Sequence, residues 1–257
     1  MKKHALVTGG SAGLGFAVAG ALAAAGCRLT LAARNAERLE AARGRIAAAH
    51  PMAGIEVVAC DLEDPQSVAG LIGALGGAGE PDIVVHVAGG PRLHRPGTED
   101  GDEFRRQLQS HSLSLVAFMQ AFAPGMQRRG FGRFIAIMSR AVGEPRADNP
   151  LSAAVRLPAW AMMKSWSRSA EFPNVTFNAL LPGLFDTDRF RQVCEEAAKN
   201  NGETVEQARA RFLAGVPAGR LGRPEELGAI AALLASETGG YVNGQRILVD
   251  GGSSSTL

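Results

Sequence analysis

The chain has 257 residues, of which 46% are hydrophobic and 20% are charged, and its formal net charge is +2. These proportions exclude a disordered chain and a strongly basic nucleic-acid-binding surface. Three widely spaced cysteines form neither a disulfide framework nor a metal-ligand pattern, which favours a reducing, cytoplasmic location without a metal site. The apolar stretches are too short for a signal peptide or a membrane span. We therefore expect a small-molecule partner, no membrane and no nucleic acid.

Short β-rich segments alternate with longer helical patterns, which predicts βαβ units around a parallel sheet. The predicted strands are 5–8, 28–32, 55–60, 83–87, 133–138, 175–180 and 246–249. The predicted helices are 14–25, 35–49, 65–76, 102–128, 152–171, 188–214 and 224–235. The expected fold is a single α/β domain over residues 1–257: a doubly wound, seven-stranded parallel sheet with helices on both faces.

A glycine-rich turn follows the first predicted strand. Residues 8–15 read TGGSAGLG and lead into an alanine-rich helix. Glycines let the backbone turn tightly towards a pyrophosphate, and the helix N-terminus offers free N–H groups. A chance turn is the alternative in a chain with 32 glycines, but the strand before and the helix after favour a Rossmann-type dinucleotide site. Its residues would be Gly9, Ser11, Gly13, Leu14 and Gly15.

The second predicted strand ends in Arg34, where an NAD-selective site would carry an acid for the ribose hydroxyls. Since an arginine can pair with a 2′-phosphate, we predict NADP(H) rather than NAD(H). A solvated charge at a helix start is the alternative.

The segment 102–128 places apolar residues at three- and four-residue steps, and His111 falls on this inward stripe. In the next predicted helix, Pro158 should kink the helix or delay its regular part.

From the Gly9, Gly13 and Gly15 spacing to the final strand, the chain resembles the short-chain dehydrogenase/reductase family, in its 3-oxoacyl-carrier-protein-reductase-like branch. The resemblance implies a homodimer or homotetramer and a catalytic serine at Ser139. It further implies cofactor contacts at Asp61, Leu62, Ala88, Gly89, Pro182, Gly183, Leu184 and Thr187.

The departures from the family pattern concentrate in the active site. The tyrosine expected 13 residues after Ser139 is Ser152, and the lysine expected four residues later is Arg156, which would also contact the cofactor. His111 replaces the expected asparagine. A Trp160 to Lys164 step imitates the missing pair, but an indole is no reversible acid, and the only tyrosine is Tyr241 near the C-terminus.

Ser152 and Arg156 can bind a substrate but cannot relay protons as a tyrosine and a lysine do. Ser139 can donate a hydrogen bond to a carbonyl oxygen, and Arg156 supplies a cation. His111, acting directly or through water, is the first candidate for a replacement general acid; the alternative is a histidine hydrogen-bonded in the core.

Basic side chains follow the fourth and fifth predicted strands, at the edge where open α/β sheets bind ligands. We predict that they form a cationic mouth for a carboxylate, a phosphate or a carrier-linked substrate, with solvated loop arginines as the alternative. These residues are Arg92, His94, Arg95, Arg140 and Arg146. Segment 188–216 is expected to cover the substrate as a lid.

The expected function is an NADP(H)-dependent oxidoreductase that acts on a carbonyl/alcohol pair with a non-standard proton donor. A non-redox enzyme on the same fold, such as a dehydratase, isomerase or cyclase, is the second hypothesis, because the acid specific to the redox reaction is missing. A non-catalytic partner subunit is the third.

Overall fold

The computed structural model describes residues 2–76, 79–93, 97–147 and 149–255. Seven parallel strands form one sheet in the order β3-β2-β1-β4-β5-β6-β7. The strands are β1 (His4–Thr8), β2 (Arg28–Ala33), β3 (Ile55–Ala59), β4 (Ile83–Val87), β5 (Gly132–Ile137), β6 (Val175–Pro182) and β7 (Arg246–Val249). This is the predicted Rossmann-type architecture, and each strand end lies within two residues of its predicted position.

The helices of the described residues cover the sheet. They are α1 (Gly13–Ala24), α2 (Ala36–Ala49), α3 (Pro65–Leu75), α4 (Gly101–Leu108), α5 (Ser114–Arg128), α6 (Pro150–Ala154), α7 (Leu157–Trp166), α8 (Asp188–Asn201), α9 (Val205–Ala214) and α10 (Pro224–Ala235). A π turn (Gln109–Leu113) joins α4 to α5, and short 3-10 turns (Arg140–Val142 and Thr238–Tyr241) follow β5 and precede β7.

Side chains along each strand alternate between the two faces of the sheet, and each face has its own hydrophobic core. In β1, Ala5 and Val7 pack with α1, α2 and α10, whereas Leu6 points to the other face and packs with α3, α5 and α7. Successive strand side chains point to opposite faces, so a strand covered on both sides is apolar throughout. The two cores fix the carboxyl ends of the strands at one edge.

Three predicted helices are interrupted. The segment predicted as 102–128 contains the π turn, and the segment predicted as 152–171 breaks at Val155 and Arg156, with Pro158 in the first turn of α7. Proline is tolerated there because the first turn of a helix needs no N–H donor. The segment predicted as 188–214 divides at Gly202, whose φ of 68° ends α8.

Helices α8 and α9 pack on each other through a separate apolar cluster that includes Phe190, Cys194 and Ala208. Leu93, in the loop after β4, packs against the same cluster. This pair of helices therefore lies over the carboxyl edge of the sheet. Within the described residues, no helix combines the length and apolar character that crossing a membrane requires.

Candidate active site

The glycine-rich turn after β1 is closely packed. Gly9 and Gly13 have positive φ values of 58° and 54°, a region that favours glycine. A Cβ atom on Gly15 would collide with the carbonyl oxygen of Gly9, so the third glycine permits the helix to approach the turn. A Cβ atom on Gly13 would lie 3.7 Å from Cγ2 of Thr187. The turn therefore lies beside the loop after β6, which carries the predicted cofactor residue Thr187.

The N-terminus of α1 fits a diphosphate. Its N-cap residue, Ala12, makes no side-chain capping bond, so backbone N–H groups of the first turn are available for an anion. A cavity of about 440 Å³ opens beside the turn, lined among others by Ser11, Gly13, Arg38 and Thr187. This volume is within the range of small-molecule sites.

Two arginines lie near this turn, one just before α2 and one in its first turn. Arg34 is exposed just after β2, and no ion pair within the described part of the chain includes it. Arg38, four residues later on α2, lines the cavity next to Ser11. Asn35 caps α2 by accepting a bond from the N–H of Arg38 at 2.8 Å, which fixes the start of this helix. The arrangement can present two cations to a phosphate.

A buried serine network holds the π turn against β4. The Ser114 hydroxyl donates to the carbonyl of Ser110 at 2.7 Å, so its oxygen accepts from Nε2 of His86 at 2.9 Å. Burial is the main cause that lowers the pKa of His86 to about 4, with the charge of Arg156 contributing. His86 is therefore neutral at pH 7.

His111 lies within the π turn, and its side chain is buried. Its Nε2 is 2.9 Å from the carbonyl of Gly89, and because a carbonyl only accepts, Nε2 carries the proton. Burial holds the pKa of His111 well below 6.5, and the charge of Arg156 lowers it further. The ring is therefore neutral at pH 7, with Nδ1 as its acceptor atom.

Arg156 lies at the break between α6 and α7. Nη1 donates to the carbonyl oxygen of Ser152 at 2.8 Å and to its Oγ at 3.0 Å. Ser112 of the π turn supports the break on both sides, because its hydroxyl donates to the carbonyl of Val155 at 2.7 Å and accepts from the N–H of Ala159 at 3.1 Å. The π turn thus fixes His111 and Arg156 relative to each other.

The comparisons with known proteins cover nearly the whole chain. Residues 9–254 match a family profile described as enoyl-(acyl carrier protein) reductase. The NADPH-dependent reductase BacG of Bacillus subtilis (strain 168) is 31% identical over 261 residues, with 100% of this chain and 99% of the relative covered. The chain belongs to the short-chain dehydrogenase/reductase family. The resemblance inferred from the glycine spacing is therefore confirmed.

Two solved structures of the short-chain dehydrogenase/reductase type support the same assignment. YwfH, an NADPH-dependent reductase involved in bacilysin biosynthesis, superposes with a TM-score of 0.91 at 29% identity and full coverage of both chains. An NADPH-bound short-chain oxidoreductase of Pseudomonas aeruginosa PAO1, described as containing an atypical catalytic center, gives a TM-score of 0.85 at 28% identity, with 99% and 98% coverage. These relatives agree with the predicted preference for NADP(H).

Other predicted site residues lie at the same edge of the sheet. Ser139 follows β5, is partly buried, and its Oγ accepts from the N–H of Ala141 at 3.2 Å. Asp61 and Leu62 follow β3 and are also partly buried, with Oδ1 of Asp61 accepting from the N–H of Glu63 at 3.0 Å. The remaining predicted contacts follow β4 or lie at and after the last residue of β6: Ala88, Gly89, Pro182, Gly183, Leu184 and Thr187.

The predicted cationic mouth is less uniform than expected. Arg92 is exposed, while Nη1 of Arg140 donates to the carbonyl of Ser253 at 2.9 Å and so helps to hold the C-terminal tail. Arg146 has an interaction of its own. His94 and Arg95 lie outside the described residues. Arg92 is therefore exposed to solvent whereas Arg140 contacts the C-terminal tail, so the arginines described here do not form one uniform cationic surface.

The two residues that could imitate the family's missing pair lie elsewhere. Nζ of Lys164 donates to the carbonyl of Gly244 at 2.8 Å, just before β7 begins. Tyr241 precedes the same strand and is fully exposed. In a parallel sheet, the start of a strand lies opposite the edge where ligands bind. Neither side chain can reach Ser139 within this protomer, so Lys164 of the rejected Trp160 to Lys164 step and the only tyrosine both lie away from the predicted site.

Sequence reasoning missed three contributors: Arg38, Arg189, which donates to the carbonyl of Pro91 in the loop after β4, and the serines around His111. A signal for Arg38 was present, since the helix predicted from residue 35 puts Arg38 in its first turn, soon after Arg34. The sequence also shows serines at alternate positions around His111: Ser110, Ser112 and Ser114. It does not show that they make buried hydrogen bonds, because serines in a helix can equally face solvent.

Replacing Ser112 with alanine is expected to lower the free energy of unfolding by about 1–2 kcal/mol, because a buried carbonyl and a buried N–H lose their partner. Urea denaturation of the full chain measures this. Ser236→Ala is a matched control, because the Ser236 hydroxyl likewise donates to a carbonyl (Leu233, 2.7 Å) and accepts from an N–H (Gly239, 3.2 Å), but Ser236 is only partly buried, so water can replace these bonds. Equal losses in both variants would contradict the supporting role of Ser112.

Proposed function

We propose that this chain is an NADP(H)-dependent oxidoreductase that acts on the carbonyl/alcohol group of an anionic small molecule, with a non-standard proton donor. The observation that carries the proposal is the glycine turn of β1 and α1 packed on Thr187, beside a cavity that also holds Arg38. The NADPH dependence of the family members BacG and YwfH supports it. When bound, NADPH supplies a hydride.

The residues assigned to the cofactor divide along the edge of the sheet. Backbone N–H groups at the start of α1 would bind the diphosphate, and Arg34 with Arg38 would bind the 2′-phosphate. Asp61 and Leu62 would border the adenine, and Thr187 the nicotinamide side. At the end of β2 the chain has Arg34 where an NAD-selective site would have an acid, and an acid there would repel the 2′-phosphate.

The proton chemistry differs from the first expectation for His111. Nε2–H of His111 donates to the carbonyl of Gly89. Because the ring is neutral, it has no second N–H, and Nδ1 can only accept a hydrogen bond. We therefore assign His111 to positioning. Ser152 accepts from Arg156, which leaves its own O–H available to donate to the substrate oxygen, as Ser139 also can. Arg156 balances the developing negative charge, and water supplies the proton.

The remaining parts of the proposal concern the whole domain. Residues 1–257 would act as a single unit, and helices α8 and α9, within the predicted lid 188–216, would cover the substrate. The contact of Leu93 with their apolar cluster supports this, since it joins the lid to the loop after β4. A homodimer or homotetramer remains our expectation.

Isotope transfer tests the reaction class. With a panel of ketones and 2-oxo acids, NADPH carrying deuterium at C4 is expected to deliver the label to a carbon of the product, detected by mass spectrometry. Tight NADPH binding without transfer to any member, together with turnover that leaves NADPH unchanged, would instead favour a dehydratase, isomerase or cyclase. Absence of both binding and turnover would favour a partner subunit.

Removal of the predicted phosphate-binding cations is expected to change cofactor selectivity. In Arg34→Ala and Arg38→Ala, affinity for NADPH should fall by about tenfold or more, because each variant loses charge-assisted hydrogen bonds, whereas affinity for NADH should change little. Calorimetric titration with both cofactors measures this. Arg43→Ala is the control on the same helix, because Arg43 pairs with Glu40 away from the cavity. Parallel losses for NADPH and NADH would contradict the assignment.

A further inference from the structure

The surroundings of Arg156 are unusual for a buried cation. Its side chain is only 5% exposed, and burial lowers its pKa to about 9, with the charge of Arg189 contributing. The group is still protonated at pH 7. Within residues 2–76, 79–93, 97–147 and 149–255, no carboxylate pairs with it. Leaving a buried charge without a counter-ion costs several kcal/mol, so proteins normally pair such groups.

The neighbouring titratable groups are all basic. His86 and His111 are neutral, and the charge of Arg156 is one cause of their lowered pKa values. Arg189 is already engaged, because it pairs with Glu196 at 3.2 Å and donates to the carbonyl of Pro91 at 2.7 Å. The buried cluster therefore carries one positive charge at Arg156 that nothing in the described chain balances.

One edge of the Arg156 guanidinium has no hydrogen-bond partner in the part of the chain that the structure describes. Nη1 is used by Ser152, whereas Nε is buried without a hydrogen-bond partner among the described residues. On a guanidinium, Nε–H and one Nη2–H point the same way and form a fork that matches the two oxygens of a carboxylate. Nη2 lies beside the loop after β4, 3.6 Å from the position that a Cβ atom on Gly90 would take.

Gly90 keeps space beside this fork. The same Cβ position on Gly90 would lie 3.8 Å from Nε of Arg189, so a side chain there would enter the region between the two guanidinium groups. The loop lies at the carboxyl edge of the sheet, directly after the predicted cofactor residues Ala88 and Gly89. A carboxylate matches this place, because its two oxygens fit the planar fork and its single negative charge balances the single charge of Arg156.

We propose that the Nε–Nη2 edge of Arg156 binds a carboxylate of the substrate, which makes the substrate a carboxylic acid with its carboxylate close to the reacting carbonyl, as in a 2-oxo acid. This assignment deepens the proposed function and rests on it for the reaction. It differs from the predicted mouth because the recognising cation is buried in the site and not exposed at its rim. Arg189 adds charge beside the same place.

Ligand binding without turnover tests the proposal. Binding of pyruvate, phenylpyruvate and inorganic phosphate to the full chain is measured by calorimetry, with and without NADP⁺, against the neutral methyl esters of the two acids. At least one acid is expected to bind about tenfold or more tightly than its ester and than phosphate. Arg156→Gln should remove this difference, Arg156→Lys should keep part of it, and the control Arg128→Gln, at an exposed arginine that ends α5, should leave it unchanged.

Several results would overturn the carboxylate site: equal binding of acids and esters, an acid preference that survives Arg156→Gln, or an Arg156-dependent preference for phosphate. Failure of the redox proposal looks different. In that case NADPH does not bind, or no deuterium label is transferred, while the preference for acids over esters persists. Unfolding of the ligand-free protein gives a second readout. Arg156→Met should raise the melting temperature if the cation is unpaired, and a lower melting temperature would count against the site.

Discussion

Alanine at position 15 is expected to remove most of the affinity for NADP(H) and to lower the free energy of unfolding by about 3 kcal/mol, the upper end for overpacking. The new Cβ atom would lie 2.7 Å from the carbonyl carbon of Gly9, and closer still to its oxygen. These are backbone atoms, so no change of rotamer relieves the contact, and the turn must move away from α1. Titration with NADPH and urea denaturation measure the two effects.

Gly20→Ala is the matched control for Gly15→Ala. Gly20 lies in the same helix, and a Cβ atom there would meet nothing within 4 Å. Alanine should stabilise the helix by roughly 0.5–1 kcal/mol and leave NADPH affinity unchanged, because it restricts the unfolded chain and touches no neighbour. Wild-type affinity in Gly15→Ala would show that the turn does not hold the cofactor as described.

Acid is expected to destabilise the protein through its buried histidines. The unfolded chain takes up a proton at His86 as the pH falls below about 6.5, whereas the folded chain keeps this ring neutral until its lowered pKa of about 4 is reached. The free energy of unfolding should therefore decrease between pH 6.5 and 4, by about 3 kcal/mol from His86, and then level off. His111 acts in the same direction because its pKa is also lowered.

Urea denaturation of the wild type and of His86→Asn at a series of pH values measures this contribution. The variant should be less stable at pH 7.5, where it loses the bond to Ser114, but its stability should decline less steeply below pH 6.5. The two curves should converge as the pH approaches 4. Parallel curves over the whole range would show that His86 is not held neutral by the fold.

The sheet was predictable because its strands are rich in apolar, β-branched residues, such as Val84, Val85 and Val87 of β4, and because a proline and a glycine lie near the ends of that strand. The interior of the helices was harder to predict. The periodicity that places His111 inward is correct for either an α-helix or a π turn, because both keep the ring on the buried side. The extra residue of the turn depends on bonds from Ser112 to Val155 and Ala159, which are more than 40 residues distant in sequence.

The candidate site was predictable in its position but only partly in its electrostatics. The resemblance to the family, counted from Ser139, identified Arg156 at the lysine position, and the parallel sheet brought it to the correct edge. Sequence could not show that its Nε would be buried without a partner, since burial and pairing depend on the folds of α6, α7 and the loop at Gly90. Loop arginines such as Arg140 were conspicuous in the sequence, yet Arg140 contacts the C-terminal tail.

The π turn also couples chain length to loop placement. An α-helix advances about 100° per residue, whereas the wider π turn accommodates one more residue in nearly the same rotation and so keeps α4 and α5 in phase. Deleting one residue within 109–113 should therefore remove the turn with little rotation, whereas deleting one residue from the regular part of α4 should rotate the start of that helix by about 100° relative to α5. Glu103 on α4 accepts the N–H of Arg92 at 3.0 Å, so only a deletion within α4 should move the loop after β4, while every strand stays in register.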